Sequence, residues 1–316
     1  MSVPAPKPAT DLSVRFCGIE LKNPLIAASG TFGYGIEFED VVQLDKLGGF
    51  VVKGLSREPM TGNPPPRLFE TAAGMLNAIG LQNIGARAFV DDKLPKLREK
   101  KNIAVFANVF GYTREDYEYT IQILNEGEGI AAYELNVSCP NTQHGGIQFG
   151  SDPHLLEEVV RKAKRVAKRP LIVKLSPNVT SIPLMAHIAE EAGADAISLV
   201  NTFLAMAIDA ETRRPRIANI TAGLSGPAIK PIALRMVYEA SKAVKIPVIG
   251  MGGVSTGEDV VEFMLAGATA VQIGTASYWD PCGTEKVVDE LTRWCNDRKI
   301  PKLAELTGGL QTDPAH

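Results

Sequence analysis

The feature that most constrains this chain is a rhythm: from about residue 25 onward, short runs rich in Val, Ile and Ala alternate with longer amphipathic stretches. Runs of that kind suit strands buried on both faces, and a helix-length stretch between successive strands lets them lie parallel. The pattern predicts eight strands, at Leu25–Ala28, Phe50–Lys53, Ile103–Val109, Ala132–Val137, Leu171–Leu175, Ala196–Asn201, Pro247–Met251 and Ala270–Gly274. Helical spacing falls between them at Arg114–Asn125, His154–Ala167, Pro183–Ala192, Ala233–Val244 and Thr256–Ala266. Gly193 and Gly267 follow two of these helices as C-terminal caps. Eight such units with right-handed crossovers close into a barrel, whereas a doubly wound open sheet generally has fewer strands. The expected fold class is therefore α/β, a (β/α)8 TIM barrel.

The 316 residues suit one barrel with insertions, so a single domain over 1–316 is expected, with 1–11 a flexible N-terminal tail and 299–316 a C-terminal tail. Leu12–Asn23 alternates on either side of Cys17-Gly18 and reads as a hairpin that plugs the N-terminal end of the barrel. Long loops are expected after strand two (Ser56–Gln82), after strand four (around Cys139) and after strand six (Phe203–Ile232), and loops of that length on a compact scaffold are usually functional or lid-like.

Composition closes off several functions. With 45% apolar and 22% charged residues the chain is globular, and a formal net charge of -3 gives no general attraction to nucleic acid. The basic run Arg161–Arg165 reads as a solvated helix face. The Pro- and Ala-rich start lacks an apolar signal segment and no run reaches the length of a membrane span, so a cytoplasmic location without membrane attachment is expected. Cys17, Cys139, Cys282 and Cys295 are scattered with no CxxC pair, so no metal site is expected, and any iron-sulfur centre would sit on a partner.

In a barrel enzyme the chemistry lies at the C-terminal ends of the strands. Here those ends carry Ser29-Gly30-Thr31, Lys53-Gly54, Asn108, Asn136 through Asn141, Lys174, Asn201-Thr202, Gly252-Gly253 and Gly274-Thr275. Strand-to-helix turns favour Asn, Ser and Gly in any case. Lysines and asparagines inside otherwise apolar strands need partners, which favours a site. The glycine-rich ends of strands seven and eight offer bare backbone N–H groups to a phosphate, belonging either to a substrate or to a cofactor such as FMN. Lys53 and Lys174 suit a Schiff base if desolvated and neutral, or stabilisation of negative charge on a reduced flavin if charged. Cys17, Cys282 and Cys295 read as inert core thiols, whereas Cys139 stands at the active end. An unperturbed thiol has a pKa of about 8.5, so only about 3% would be thiolate at pH 7.

These residues closely resemble the catalytic subunit of class 1B dihydroorotate dehydrogenases, over Leu12 to Asp297. The motifs are Ala28–Gly33, Asn77–Asn83, Asn136-Val137-Ser138-Cys139-Pro140-Asn141 and Val200-Asn201-Thr202. The stretch from Met206 through Arg213-Arg214-Pro215 to Lys230 is similar to class 1B rather than the fumarate-using class 1A. The resemblance implies FMN among Ser29, Lys53, Gly54, Asn108, Asn136 and Lys174 on one side, and Val200, Gly226, Gly252, Gly253, Gly274 and Thr275 on the other. It assigns the pyrimidine to Lys53, Asn77, Ala78, Ile79, Gly80, Leu81, Asn136, Asn201 and Thr202, and makes Cys139 the base. Membrane-bound class 2 enzymes use serine there. The resemblance also implies oxidation of dihydroorotate to orotate in pyrimidine biosynthesis, a homodimer within a heterotetramer, and electron transfer to NAD through a partner subunit carrying FAD and a 2Fe-2S cluster. Competing readings are a class 1A or dihydropyrimidine-oxidising flavin barrel, a Schiff-base lyase using Lys53 or Lys174, and a non-catalytic scaffold.

Overall fold

The computed structural model describes residues 10–100, 102–137 and 149–312. Cys139 and the loop after strand four therefore lie outside the described residues. Eight parallel strands close into a barrel: β1 (Leu25–Ala27), β2 (Gly49–Val51), β3 (Ala104–Val109), β4 (Ile130–Asn136), β5 (Leu171–Lys174), β6 (Ala196–Leu199), β7 (Val248–Met251) and β8 (Ala270–Ile273). All eight fall where the apolar runs predict them. Several stop one or two residues early, because Lys53, Asn201 and Gly274 have already left the ladder at the strand mouths.

The helices between the strands start on side chains that satisfy their first N–H groups. Thr113 with Asp116, and Thr256 with Asp259, form reciprocal capping boxes ahead of Arg114–Leu124 and Gly257–Leu265. Asp152 caps Pro153–Val166 and Ser181 caps Ile182–Glu191. The helix predicted from Ala233 begins earlier, at Lys230, since Pro231 is tolerated in a first turn. The run Arg161–Arg165 is a solvated face: Arg161 pairs with Glu157, Lys162 with Glu115 and Lys164 with Asp195, while Ala163 is buried.

The N-terminal hairpin, Val14–Phe16 with Ile19–Leu21, closes the lower end of the barrel. Val14, Phe16 and Leu21 join the main core, and the Phe16 ring stacks on Phe106 of β3 with centroids 6.1 Å apart. Cys17 at its turn donates to the Asp195 carbonyl at 3.1 Å, and burial pushes its thiol up to about 11. Cys295 is buried in the core, whereas Cys282 is only partly buried, its thiol turned to the Val41 carbonyl, so the expectation of a core position fails for Cys282. Asp11 donates its backbone N–H to the Pro301 carbonyl and accepts at its own carbonyl from the Leu303 nitrogen, tying the two ends of the chain together, and Leu303 is fully buried.

The long segments after β2 and β6 depart from the expectation of loops. Leu68–Thr71, Gly74–Asn77, Thr221–Ser225 and Phe203–Met206 form one four-stranded antiparallel sheet, so the two insertions fold together above the barrel. On the face opposite Asn77, Leu76 and Ala222 join Ala78 and Ile217 in a second, small hydrophobic cluster. Among the described residues no helix is long and apolar enough to cross a membrane.

Candidate active site

A cavity of about 1310 Å³, open solvent at its mouth included, occupies the C-terminal mouth of the barrel beneath the added sheet. Each strand contributes to its wall: Ala28 to Thr31 after β1, Lys53 and Gly54 after β2, Asn108 on β3, Asn136 on β4, Lys174 on β5, Val200 to Thr202 after β6, Met251 to Val254 at β7, and Gln272 with Gly274 to Ala276 at β8. Convergence of eight strand ends is what a barrel imposes on residues at the same height.

The layer under this cavity is polar. Glu134 on β4, with no exposed surface, accepts from Asn108 Nδ2 at 2.7 Å, Ser198 Oγ at 3.0 Å and Gln272 Nε2 at 2.6 Å, and its Oε1 lies 3.7 Å from Lys174 Nζ. A carboxylate taken out of water needs this number of donors. Asn108 Oδ1 and Gln272 Oε1 are buried with no hydrogen-bond partner among the described residues, and both residues line the cavity. Native interiors rarely leave such acceptors unmet, so a ligand with matching donors fits here. Gly54 fits the same reading, because a Cβ there would approach Asn108 Oδ1 to 2.9 Å.

On one side three glycines with positive φ meet. Gly252 and Gly253 follow β7 at φ 125 and 78, and Gly226 stands at φ 96. A Cβ on Gly253 would lie 2.8 Å from the Gly226 carbonyl and 2.9 Å from the Lys230 nitrogen, so only bare backbone allows this approach. The nearby Lys230 ammonium is already paired, to Asp259 Oδ1 at 2.5 Å and Glu262 Oε2 at 2.8 Å. A phosphate at this corner would thus rely on peptide N–H groups rather than on that lysine.

On the opposite side the sheet and the barrel supply amides. Asn201 Oδ1 accepts from the Thr202 nitrogen at 2.8 Å, and Asn178 Nδ2 holds the Thr202 carbonyl at 3.1 Å. Asn77 Nδ2 reaches the Gly223 carbonyl at 3.4 Å, and Gly223 has no room for a side chain, since its Cβ would fall 2.0 Å from Thr202 Oγ1. The turn from Ile79 to Leu81 lines the cavity with Leu81 at φ 56, a conformation costly for a branched side chain. Buried Asn83 fixes that turn by donating to the Leu81 carbonyl at 2.8 Å and accepting from the Gly85 nitrogen at 2.8 Å. Burial, and next the Arg67 charge, hold the Lys53 ammonium below the usual lysine range.

All the residues expected at the site from the sequence line this cavity, apart from two. Cys139 lies outside the described residues. Ala78 is fully buried in the small cluster on the face of the sheet opposite Asn77, while its carbonyl accepts from Asn63. Its neighbours in the turn reach the cavity because the chain alternates faces there. Sequence reasoning missed Glu134 and Gln272, although each is the polar break in a run that is otherwise buried, Ile130–Asn136 and Ala270–Ile273.

The model of the family described as dihydroorotate dehydrogenase matches residues 11–294. The chain belongs to the dihydroorotate dehydrogenase family. It is accordingly an enzyme of pyrimidine biosynthesis. Dihydroorotate dehydrogenases are flavoenzymes, which agrees with unmet acceptors and a bare-backbone corner on either side of one cavity. A protein of Solibacter usitatus described as a putative dihydroorotate dehydrogenase A (fumarate) is 62% identical over 95% of this chain and 98% of its own length. Proteins of Citrifermentans bemidjiense and Geobacter sulfurreducens, each described as a dihydroorotate dehydrogenase B (NAD(+)) catalytic subunit, are both 53% identical over 95% of this chain and 98% of theirs.

Proposed function

We propose that this chain is the FMN-bearing catalytic subunit of an NAD-linked dihydroorotate dehydrogenase, acting with an electron-transfer partner that carries FAD and a 2Fe-2S cluster. The observation that carries the reading is the pair of unmet buried acceptors, Asn108 Oδ1 and Gln272 Oε1, beside Lys174 in a cavity that a glycine corner closes on one side. Ser29, Gly54, Val200, Gly274 and Thr275 would bound the cofactor, with Gly226, Gly252 and Gly253 at its phosphate.

When bound, FMN supplies the two-electron acceptor for the hydride leaving C6 of dihydroorotate. Cys139, two residues beyond the last described residue of β4's exit, takes the proton from C5. Asn136, Asn201, Thr202 and Asn77 hold the carboxylate and ring edges of the pyrimidine, and the turn Ile79–Leu81 covers it. Lys53, kept charged, offsets the substrate carboxylate, and Lys174 offsets negative charge gathering at the cavity floor.

The relative from Solibacter usitatus favours a second reading, in which fumarate is the acceptor and no partner is needed. Anaerobic mixing of the purified chain with dihydroorotate, followed by its visible spectrum, tests the shared part: yellow protein that bleaches is expected, and protein that binds no FMN overturns the reading. Adding fumarate to the bleached protein separates the classes. Fast return of colour with fumarate alone indicates the fumarate-linked class, whereas return only with NAD and an electron-transfer subunit indicates the NAD-linked one.

A further inference from the structure

We propose that Glu134 is a positioning residue that fixes which way the cavity floor presents its amides and how much of the Lys174 charge the flavin feels; this rests on the proposed FMN site. Glu134 lies on β4, in register with Asn108 of β3, and every polar atom facing it is a donor: Asn108 Nδ2 and Lys174 Nζ at one oxygen, Ser198 Oγ and Gln272 Nε2 at the other. An ionised carboxylate only accepts. Neither amide can therefore flip without setting oxygen against oxygen in a site with no exposed surface, and both must turn their carbonyl oxygens elsewhere. Those two oxygens are buried without a hydrogen-bond partner among the described residues.

The floor thus offers two acceptors and one partly neutralised ammonium. Donors such as the imide N–H and the ribityl hydroxyls of a flavin match the two acceptors, and a flavin carbonyl or ring nitrogen matches the ammonium. Lys174, at 3.7 Å from Glu134, is close enough for strong attraction and still lines the cavity. The carboxylate beneath it reduces its pull on negative charge above. Glu134 touches neither substrate nor cofactor in this account and acts through its four partners.

Glu134→Gln keeps the shape, removes the charge and adds a donor that permits either amide to flip. FMN binding to the deflavinated variant, followed by quenching of flavin fluorescence, is expected to weaken about tenfold or more. The reduced-to-oxidised ratio of bound FMN at a fixed potential is expected to move about tenfold toward reduced, about 30 mV for a two-electron couple, because Lys174 is no longer offset. A change that only loosened the fold would lower affinity without raising the potential. Glu134→Asp keeps the charge but draws it back from Lys174 by a methylene; it is expected to weaken FMN binding and to raise the potential, by less than Glu134→Gln does. This second variant decides the matter should Glu134→Gln not fold. Wild-type affinity in either variant, or a lowered affinity with the potential unmoved, overturns the role of Glu134. Failure of the wild-type chain itself to bind FMN would instead overturn the proposed function.

Discussion

Asn201 Nδ2 donates to Asn136 Oδ1 at 3.4 Å, joining the segment after the sixth strand to the end of the fourth across the mouth of the barrel. This bond sets two amides from distant parts of the chain side by side on the cavity wall, where the proposed function puts the pyrimidine. A hydrogen bond to a charged group contributes about 1.5–3 kcal/mol, so Asn201→Ala is expected to lower kcat/KM for dihydroorotate by about 10- to 100-fold. The loss should appear mainly in KM, with the amount of bound FMN unchanged. Loss of the flavin would instead assign Asn201 to the cofactor. Because the residues touch, Asn136→Ala combined with Asn201→Ala should depart from additivity by about 1 kcal/mol.

Lys53 is held in its protonated form against the cost of burial, so the fold carries that cost. Its folded pKa is lowered, and the penalty is fully present below the folded value and disappears as pH rises toward the ordinary lysine value of about 10.4. Lys53→Met is therefore expected to raise the melting temperature of flavin-free protein at neutral pH by about 2 °C, for about 1 kcal/mol. The gap from the wild type should close as the buffer is made alkaline. The same variant should lose at least about 100-fold in kcat/KM. A flavin-free variant less stable than the wild type at pH 7 would contradict the burial argument.

The barrel was legible because its eight runs are local signals: each strand is read from four to seven consecutive residues. The sheet above it was not, since its pairing joins Asn77 to Gly223 across 146 residues and no short window contains both. Lys53, Asn108, Asn136 and Lys174 stood out as polar residues at strand ends. Glu134 did not, because a single carboxylate within a strand has no meaning until the register sets it beside Asn108. The direction of a side chain within a tight turn is equally hidden, which is why Ala78 was counted with neighbours that do line the cavity.

Gly223 makes a different claim, since the sequence places it in the stretch similar to class 1B but not among the expected site residues. Its bare Cα lets the added sheet lie against Thr202, where a Cβ would come within 2.0 Å of the hydroxyl. Gly223→Ala must push Thr202 and the Asn201 backbone from their places. Overpacking of this kind costs about 1–3 kcal/mol. The expected result is a KM for dihydroorotate raised about tenfold with FMN retained. A parallel rise in KM and loss of flavin would mean that the sheet shapes the cofactor side as well.

In the proposed mechanism the pH profile of flavin reduction by dihydroorotate combines two groups, Cys139 and Lys53. Cys139 acts as a base only as thiolate, and for an unperturbed thiol this gives a rising limb of about tenfold per pH unit up to about 8.5. Lys53 acts only as ammonium, and since burial lowers its pKa, the falling limb should begin below the ordinary lysine value of about 10.4. The result is a bell in kcat/KM whose two limbs answer to separate substitutions. Cys139→Ala is expected to keep its yellow colour and lose nearly all reduction at neutral pH. Cys139→Ser should retain a small rate that continues to climb above pH 8.5, because its hydroxyl deprotonates far less readily. Stopped-flow absorbance under anaerobic conditions measures both. Undiminished reduction in Cys139→Ala removes that residue from the mechanism, and a falling limb at the ordinary lysine pKa removes burial of Lys53 as its cause.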